Sequence, residues 1–262
     1  MFDTVYATRF ERPMRSGKNR PNLMECERED GDFVEVVVKG SATTLQGCRD
    51  LAVEAICGML AKDLGLPVPE FFAVELAPEL IANIADQRVK TELAASDKFA
   101  FGSRLLPSGF LSWPTNQPVP TELLQVAAEI FTFDAAVVNG DRRPSNPNCM
   151  FSGSQLAIID HELCFGLELF WTAPWLEGGF RTRSRPDDHI FSKPWLTNCP
   201  PNLDRLRQTW DTIDAERVDG YFNALPHSWA LDQHEHARIR SLVLDARANI
   251  DKLIDNSLRA LK

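Results

Sequence analysis

An almost wholly apolar segment, residues 120–138, places the strongest constraint on the fold. It begins with Pro120 and Thr121, a helix-start signal, and continues as a nearly all-apolar body. A helix without a polar face has to be buried. The chain has 262 residues, enough to bury a substantial core. The sequence therefore predicts a buried helix here, in one large domain or one of two lobes.

The first hundred residues indicate strands around one helix. Apolar residues at helical spacing predict that helix over residues 47–64, with Gly65 as its C-cap. The strand candidates are short runs, β-branched or partly alternating, at residues 4–12, 22–29, 33–40, 70–76 and 98–106. This half of the chain is therefore predicted to be a small, mostly β lobe.

The second half of the chain is more helical. Residues 148–153 and 155–162 are typical of a short hairpin, which would place Asp160 at the end of an apolar strand. The segment from Trp171 to Trp195 fits neither period and is interpreted as a long irregular excursion. Near the C-terminus, a core-facing helix is predicted by an apolar stripe of Ile239, Val243, Ala246, Ile250 and Leu253.

Charge and composition limit the function classes. The net charge of -9 argues against a protein built mainly for nucleic acid or an anionic membrane. No run approaches the roughly 18 apolar residues of a membrane span, and the N-terminus lacks a secretory apolar region. The 6 cysteines are scattered without a CxxC pair. We expect a cytoplasmic protein without a disulfide framework, a membrane association or a direct nucleic-acid partner.

The polar loop at residues 137–150, VVNGDRRPSNPNCM, directly follows the apolar segment and holds the candidate site. The loop can double back between Asp141 and Asn146, and Asp160 would return beside them on the hairpin. Phosphoryl transfer needs one carboxylate to orient the attacking hydroxyl, and an amide oxygen and a second carboxylate to hold Mg²⁺. Taken alone, an Asp-x4-Asn loop is also typical of an Asx-turn or a helix cap.

The same chemistry requires a cation on the nucleotide phosphates. Lys39, at the end of VEVVVK, is the candidate, and Glu54 on the following helix would be its acidic partner. The simpler interpretations are a solvated strand-end lysine and a surface helix residue.

Two other motifs do not support competing functions. The SGK triplet lacks the preceding glycine of a P-loop. His234 and His236 are two residues apart and do not share a helical face, which argues against a helical zinc pair.

Taken together, VVNGDRRPSNPNCM, LAIIDHE, VVVKG and the EAICGMLAKDLGLPVPEF helix resemble the HipA-like kinase family and, more distantly, the phosphatidylinositol 4-kinases. The resemblance runs over most of the chain. It implies an α+β, two-lobed protein-kinase-like fold with ATP in the cleft. The small β-rich N-lobe would comprise residues 1–103, and the mainly helical C-lobe residues 104–262.

The resemblance also assigns roles to individual residues. Asp141 matches the catalytic aspartate of the family, and Asn146 and Asp160 match its metal ligands. Lys39 matches the ATP-contacting lysine and Glu54 its partner. Further ATP contacts are implied in the phosphate-covering turn and in the strand that links the lobes, at Ser16, Gly17, Lys18, Phe101 and Gly102.

The function implied by the resemblance is an ATP- and Mg²⁺-dependent kinase that phosphorylates a hydroxyl, in the first place Ser or Thr of a protein. HipA-like kinases can modify their own phosphate-covering turn, so Ser16 is the first acceptor to examine. The family further implies regulation of growth or stress, often as the toxin of a pair with an antitoxin partner.

Two departures from the family pattern keep other interpretations open. Arg143 stands where relatives often have His, and Glu162 stands where many have Gly. A carboxylate beside the metal site is compatible with a pseudokinase that holds nucleotide but transfers little phosphate. A kinase for a small molecule or a lipid headgroup is the third interpretation, because a fold alone does not choose a substrate.

The Trp171 to Trp195 segment follows the metal-ligand hairpin as an activation segment does in kinases. Arg181, Arg183 and Arg185 recur at every second position and could bind an acidic or phosphorylated partner. The alternative is a structural loop with solvated arginines.

Overall fold

The computed structural model describes residues 2–14, 20–115, 117–166, 173–177, 189–191 and 201–261. The chain forms two compact units that interleave along the sequence. The first unit consists of Met1–Met59, Pro69–Pro107 and Phe222–Leu231. The second unit consists of Leu60–Val68, Ser108–Tyr221 and Asp232–Lys262. Compact units need not be domains, so the predicted domain boundary after residue 103 stays a prediction.

The strands of the first unit form a closed barrel in the order β1-β2-β3-β5-β4. Their bounds are β1 Asp3–Pro13, β2 Asn22–Glu27, β3 Phe33–Lys39, β4 Phe71–Glu75 and β5 Phe99–Arg104. The parallel pairing of β1 with β4 closes the barrel, and its other neighbours pair antiparallel. Each predicted strand of this half is confirmed, and the expected small β lobe is more specifically a barrel.

Alternating side chains fill the inside of the barrel. On β3, Val36 and Val38 are both fully buried, because successive side chains of a strand point to opposite faces. On β2, Met24 and Cys26 are likewise fully buried. Burial raises the pKa of the Cys26 thiol to about 12, so this cysteine packs as a small apolar side chain.

Helix α1 spans Cys48–Asp63 and ends as predicted at Gly65, whose φ is 67°. The Gly65 N–H donates to the Lys62 carbonyl oxygen and the Leu66 N–H to that of Ala61, at 3.0 and 2.9 Å. These paired bonds are those of a Schellman ending, in which glycine accepts the left-handed conformation without a steric penalty.

The first unit also contains two helices that the sequence analysis missed, α2 at Pro78–Ala82 and α3 at Gln87–Ala94. The prediction of strands around one helix therefore missed two shorter helices, although α1 is the longest helix of this unit. The signal for α3 was Asp86, whose side chain accepts from the N–H groups of Arg88 and Val89 and caps the helix. Its buried stripe is short, Val89 and Leu93, and this makes the periodicity weak.

The second unit is built around the predicted apolar helix. Helix α4 spans Leu124–Ala136, and every residue from Ala127 to Ala136 is buried. A short 3-10 turn at Thr121–Leu123 precedes it. The predicted hairpin is present as β7 Cys149–Ser152 and β8 Gln155–Ile158, with β6 Leu111–Ser112 on the other side of β7.

The remaining helices are α5 Asp204–Asp211, α6 Ala215–Asn223, α7 Gln233–Ala248 and α8 Ile250–Ala260. The C-terminal stripe, predicted as one helix, thus lies on two. Asn249 separates them: its Nδ2 donates to the Asp245 carbonyl oxygen at 2.9 Å. An Asn side chain that bonds to the backbone in this way competes with helix propagation.

Across the portions of the chain with described coordinates, no helix has both the length and the apolar character that crossing a bilayer requires.

Candidate active site

In the first unit, Lys39 and Glu54 form a largely buried ion pair. Lys39 ends β3, and Glu54 lies on α1. The Lys39 Nζ donates to Glu54 Oε2 at 3.3 Å, and the two side chains are 15% and 5% exposed. The two residues that the sequence analysis paired are in contact, while their roles toward a nucleotide stay predictions.

The strand predicted to contact adenine is β5. The Phe101 ring is 5% exposed and stacks on Phe71 at a centroid distance of 6.1 Å. A Cβ at Gly102 would lie 2.4 Å from Val74 and 2.5 Å from Val36. The Phe101 ring and the missing side chain of Gly102 therefore both serve the packing of the first unit. A nucleotide contact here would have to use the backbone.

Two sets of predicted contacts fall outside the described residues, and they stay predictions. They are Ser16, Gly17 and Lys18 of the phosphate-covering turn, and Arg181, Arg183 and Arg185 of the segment after the hairpin.

In the second unit, the polar loop folds back between Arg143 and Asn146. The Asn146 N–H donates to the Arg143 carbonyl oxygen at 2.8 Å, and the Arg143 N–H donates to the Asn146 carbonyl oxygen at 3.1 Å. Pro144 has the fixed φ that suits the second position of such a turn. The turn returns Asn146 to Asp141, and the Asn146 Nδ2 donates to Asp141 Oδ2 at 2.6 Å.

The Asp141 carboxylate is held from several sides. Besides Asn146, the Asn148 Nδ2 donates to Asp141 Oδ2 at 3.2 Å, and the Arg143 Nη2 lies 3.4 Å from Oδ1. The Asp141 backbone N–H donates to Asn139 Oδ1 at 3.0 Å. These contacts fix the direction of the carboxylate, as a group that orients a reacting hydroxyl requires.

Helix α4 leads into this loop through a strained ending. Val138 has a φ of 55°, in the left-handed region that glycine favours. The Val138 N–H donates to the Ala135 carbonyl oxygen and the Asn139 N–H to that of Asp134, at 3.2 and 2.8 Å, which again is a Schellman pattern. A β-branched residue in this conformation costs about 1–3 kcal/mol, and such strain persists where the surroundings fix the backbone.

The fully buried Arg142 joins α4, the loop and the residues after β8. Its Nε donates to Asp134 Oδ2 at 2.6 Å and its Nη2 to Oδ1 at 3.2 Å, so the planar guanidinium binds both carboxylate oxygens. The Arg142 Nη1 donates to the carbonyl oxygen of Asn148 and, at 3.4 Å, to that of Ile159. The Nη2 also lies 3.1 Å from His161 Nε2.

The Asp134 carboxylate receives donors on both oxygens. Besides Arg142, the Asn139 Nδ2 donates to Oδ1 at 2.8 Å and the His189 Nε2 to Oδ2 at 2.9 Å. Burial raises the pKa of the Asp134 carboxyl, but the charge of Arg142 and the hydrogen bond from His189 outweigh burial and hold the pKa well below its usual range. Burial also opposes the charge on Arg142, yet Asp134 more than offsets it and raises the pKa of Arg142. The pair is therefore ionised at neutral pH.

Asp160 follows β8 with a left-handed φ of 65°. Both of its neighbours are bonded to Arg142, Ile159 through its carbonyl oxygen and His161 through its ring. A guanidinium cannot accept a hydrogen bond, so the His161 Nε2 is the acceptor and its ring proton lies on Nδ1. The Ile159 N–H also donates to the Asn148 carbonyl oxygen at 3.1 Å. The backbone on both sides of Asp160 is thus fixed to the polar loop.

The two predicted metal ligands, Asn146 and Asp160, offer oxygen atoms of the kind that Mg²⁺ prefers. Because the Asn146 Nδ2 donates to Asp141, the Oδ1 is the atom of this amide that can bind a cation. The donor set therefore fits Mg²⁺. Glu162 is half-buried two residues beyond Asp160 and adds a further carboxylate to this stretch.

The sequence analysis missed the residues that hold this arrangement together, which are Asp134, Asn139, Arg142, Asn148 and His189. A signal for Asp134 was present, because it is an acidic residue inside the apolar helix. A carboxylate buried in such a helix requires a charged partner. Arg142 follows the helix within the same polar loop and was therefore the nearest candidate.

Comparisons with known proteins identify a family and a shared fold. A family model described as HipA-like kinase matches residues 8–257. The crystal structure of the Helicobacter pylori proinflammatory kinase CtkA is similar with a TM-score of 0.59 at 12% identity, over 99% of this chain and 99% of that chain. That of the Golgi casein kinase has a TM-score of 0.52 at 12% identity, over 98% of this chain and 74% of that chain. No curated protein sequence matches the chain. The structural likeness shows a fold shared with these kinases.

Proposed function

We propose, since the chain belongs to the HipA-like kinase family, that it uses ATP and Mg²⁺ to phosphorylate a hydroxyl, in the first place Ser or Thr of a protein. The observation that carries this proposal is the position of Arg142. One buried guanidinium binds the backbone of the loop that holds Asp141 and the residues on both sides of Asp160. The backbone segments that carry Asp141 and Asp160 are thereby held by one side chain, and this supports the proposal because phosphoryl transfer needs carboxylates in fixed positions.

Each residue would contribute a defined part of the reaction. Asp141 would orient the acceptor hydroxyl, because the Asn146 and Asn148 amides prevent its carboxylate from turning. Asn146 and Asp160 would hold Mg²⁺, which when bound neutralises charge on the nucleotide phosphates. Lys39 would contact those phosphates, and Glu54 would keep the Lys39 ammonium in place.

The proposal is tested by incubating the protein with γ-labelled ATP and Mg²⁺ and following label on the chain and on lysate proteins. Asp141→Asn keeps the shape of the side chain and removes the carboxylate. We expect turnover to fall by about 10²-fold or more, while nucleotide binding survives. Asn146→Ala and Asp160→Ala should weaken Mg²⁺-dependent nucleotide binding as well as turnover, because both remove a proposed metal ligand.

Asp255→Asn is the matched control, since Asp255 is exposed on α8 and the substitution is the same. It should leave turnover unchanged. Equal labelling by the wild type and by Asp141→Asn would remove Asp141 from its proposed role. A wild-type protein that binds Mg²⁺-ATP and labels neither itself nor any lysate protein would contradict a protein kinase and favour the pseudokinase.

A finer proposal is that the protein regulates growth as a toxin with an antitoxin partner, and it is supported by family membership alone. Expression of the wild type should then arrest growth, whereas Asp141→Asn should not. A small helix-turn-helix protein encoded next to this chain should relieve the arrest when both are expressed. Equal growth with the wild type and Asp141→Asn would contradict a toxin that acts through phosphorylation.

A further inference from the structure

Residues 189–191 are buried against the loop that holds Asp141, although they are distant from it in sequence. His189 is 1% exposed, and its Nε2–H donates to Asp134 Oδ2 at 2.9 Å. The Ile190 N–H donates to the carbonyl oxygen of Arg142 at 3.4 Å. This short stretch therefore contacts both members of the buried ion pair.

Aromatic contacts hold the same stretch in place. The His189 ring meets Phe131 of α4 edge-on, with centroids 5.0 Å apart and an interplanar angle of 83°. The Phe191 ring meets Trp113 at 5.3 Å, and Trp113 in turn meets Phe151 of β7 at 5.5 Å. The hydrogen bond to Asp134 is thus buried beside aromatic rings, and the low local dielectric of a buried site strengthens it.

The hydrogen bonds of His189 define its protonation state. The Phe191 N–H donates to His189 Nδ1 at 3.0 Å, so Nδ1 carries a lone pair. The opposite nitrogen faces the carboxylate of Asp134, which only accepts, so the proton lies on Nε2. A neutral ring with one donor and one acceptor satisfies both bonds. His189 therefore holds the Asp134 carboxylate in a fixed direction.

We infer that His189 is a positioning residue for Asp141. Through Asp134 it fixes the Arg142 guanidinium, and Arg142 holds the backbone on which the Asp141 and Asp160 side chains are presented. The inference rests on the proposed kinase function and deepens it. It assigns to residues 189–191 a part in aligning the loop for phosphoryl transfer.

Three variants test the inference. His189→Leu removes the donor, His189→Asn is too short to reach Asp134, and His189→Gln places an amide N–H near the position of Nε2–H. Phosphate transfer from γ-labelled ATP to dephosphorylated casein and to the chain itself gives kcat and the KM for ATP. Hydrogen exchange of the peptide covering residues 139–150 is measured on the same proteins without nucleotide.

For His189→Leu and His189→Asn, we expect kcat to fall by about 10-fold or more with the KM for ATP within about 2-fold, because alignment is lost and nucleotide binding is kept. Exchange in residues 139–150 should become faster. His189→Gln should recover kcat to within about 3-fold of the wild type and restore slow exchange. His234→Leu, the same substitution at an exposed histidine of α7, should change neither quantity.

Unchanged kcat and exchange in a folded His189→Leu or His189→Asn would overturn the inference. Equal losses of kcat in His189→Asn and His189→Gln would also overturn it. If His189→Leu does not fold, the comparison of His189→Asn with His189→Gln decides whether the inference holds. If the wild type transfers no phosphate, the proposed function fails, and hydrogen exchange of residues 139–150 alone decides whether His189 holds the loop. Faster exchange in His189→Asn than in His189→Gln supports the inference, and equal exchange in the two variants overturns it.

Discussion

The two units fix their candidate site residues in different ways. In the first unit, Lys39 and Glu54 come from a regular strand and a regular helix, and a compact ammonium contacts a carboxylate at 3.3 Å. In the second unit, Asp141, Asn146 and Asp160 lie on irregular backbone, fixed by Arg142 and Asp134.

The difference reflects the chemistry of the two cations. A lysine ammonium is a point charge on a flexible stem, whereas an arginine guanidinium is a planar fork that binds a carboxylate at two points. The lysine ammonium suits a residue that has to bind a phosphate. The guanidinium suits a permanent attachment point. Regular structure supports the pair in the first unit, and a buried polar network replaces regular structure in the second.

The largest expected effect is loss of this attachment point. Arg142→Met leaves Asp134 buried without its charged partner, and the free energy of unfolding should fall by about 3–5 kcal/mol. Urea unfolding followed by circular dichroism measures the change. Arg88→Met is the control, because Arg88 is 43% exposed beside Glu92 and its loss should cost at most about 1 kcal/mol. Equal effects of the two substitutions would show that the pair with Asp134 contributes no more than a surface pair.

The corresponding change in the first unit is Lys39→Met. Removing the ammonium next to the buried Glu54 carboxylate should lower the free energy of unfolding by about 2–3 kcal/mol. Adding Glu54→Gln removes the charge that was left behind and should recover part of this loss. Phosphate transfer should stay low in both variants, since neither has the lysine. Recovery of transfer in the double variant would exclude a phosphate contact for Lys39.

Packing inside the barrel is tested at Gly102. Gly102→Ala would place a Cβ within 2.5 Å of Val36 and Val74, so we expect a loss of about 1–3 kcal/mol in the free energy of unfolding. Gly220→Ala on α6 is the control. Among the described residues, apart from its chain neighbours and the backbone of its own helix, no atom lies within 4 Å of the added Cβ. Alanine in a helix should raise the free energy of unfolding by about 0.5–1 kcal/mol relative to glycine. A neutral Gly102→Ala would show that β4 and β3 can move apart there.

The smallest expected effect is a change in acid sensitivity. The folded pKa of Asp134 is below its unfolded value of about 3.9. The unfolded chain therefore binds the proton first as the pH falls, and the contribution of Asp134 is complete at neutral pH and is lost below about pH 4. Arg142→Met removes the charge that lowers the pKa of Asp134. The free energy of unfolding of this variant should therefore fall less than that of the wild type between about pH 5 and pH 3. Each pKa unit by which the folded pKa rises corresponds to about 1.4 kcal/mol. Urea unfolding across this range measures the slope, and Arg88→Met should keep the wild-type slope.

Sequence patterns predicted much of the fold because the relevant signals are local. Alternation in residues 33–40 and helical spacing in residues 47–64 are each contained in one segment. The burial of α4 followed from its own composition. The end of α1 at Gly65 followed from the conformational freedom of glycine and from the prolines that come after it.

The network around Arg142 could not be predicted in the same way. Its partners come from a helix, a loop, the residues after a hairpin and the distant His189, and no spacing in the sequence relates them. Asp134 signalled that a buried cation was needed, but it did not show which other groups would meet it. The break at Asn249 depended on one side-chain hydrogen bond to Asp245, which apolar periodicity does not contain.

Closure of the barrel also affects how the first unit can meet other chains. Strand β1 extends beyond its pairing with β4, which covers Asp3–Tyr6, and a strand edge beyond such a pairing is a template for an intermolecular strand. That stretch carries Arg9, Glu11 and Arg12, ends in Pro13, and contains two register shifts against β2. Charge, proline and bulges are the means by which natural sheets avoid edge-to-edge aggregation. We therefore expect this edge to resist strand addition, so that a partner of this unit would be recognised through side chains.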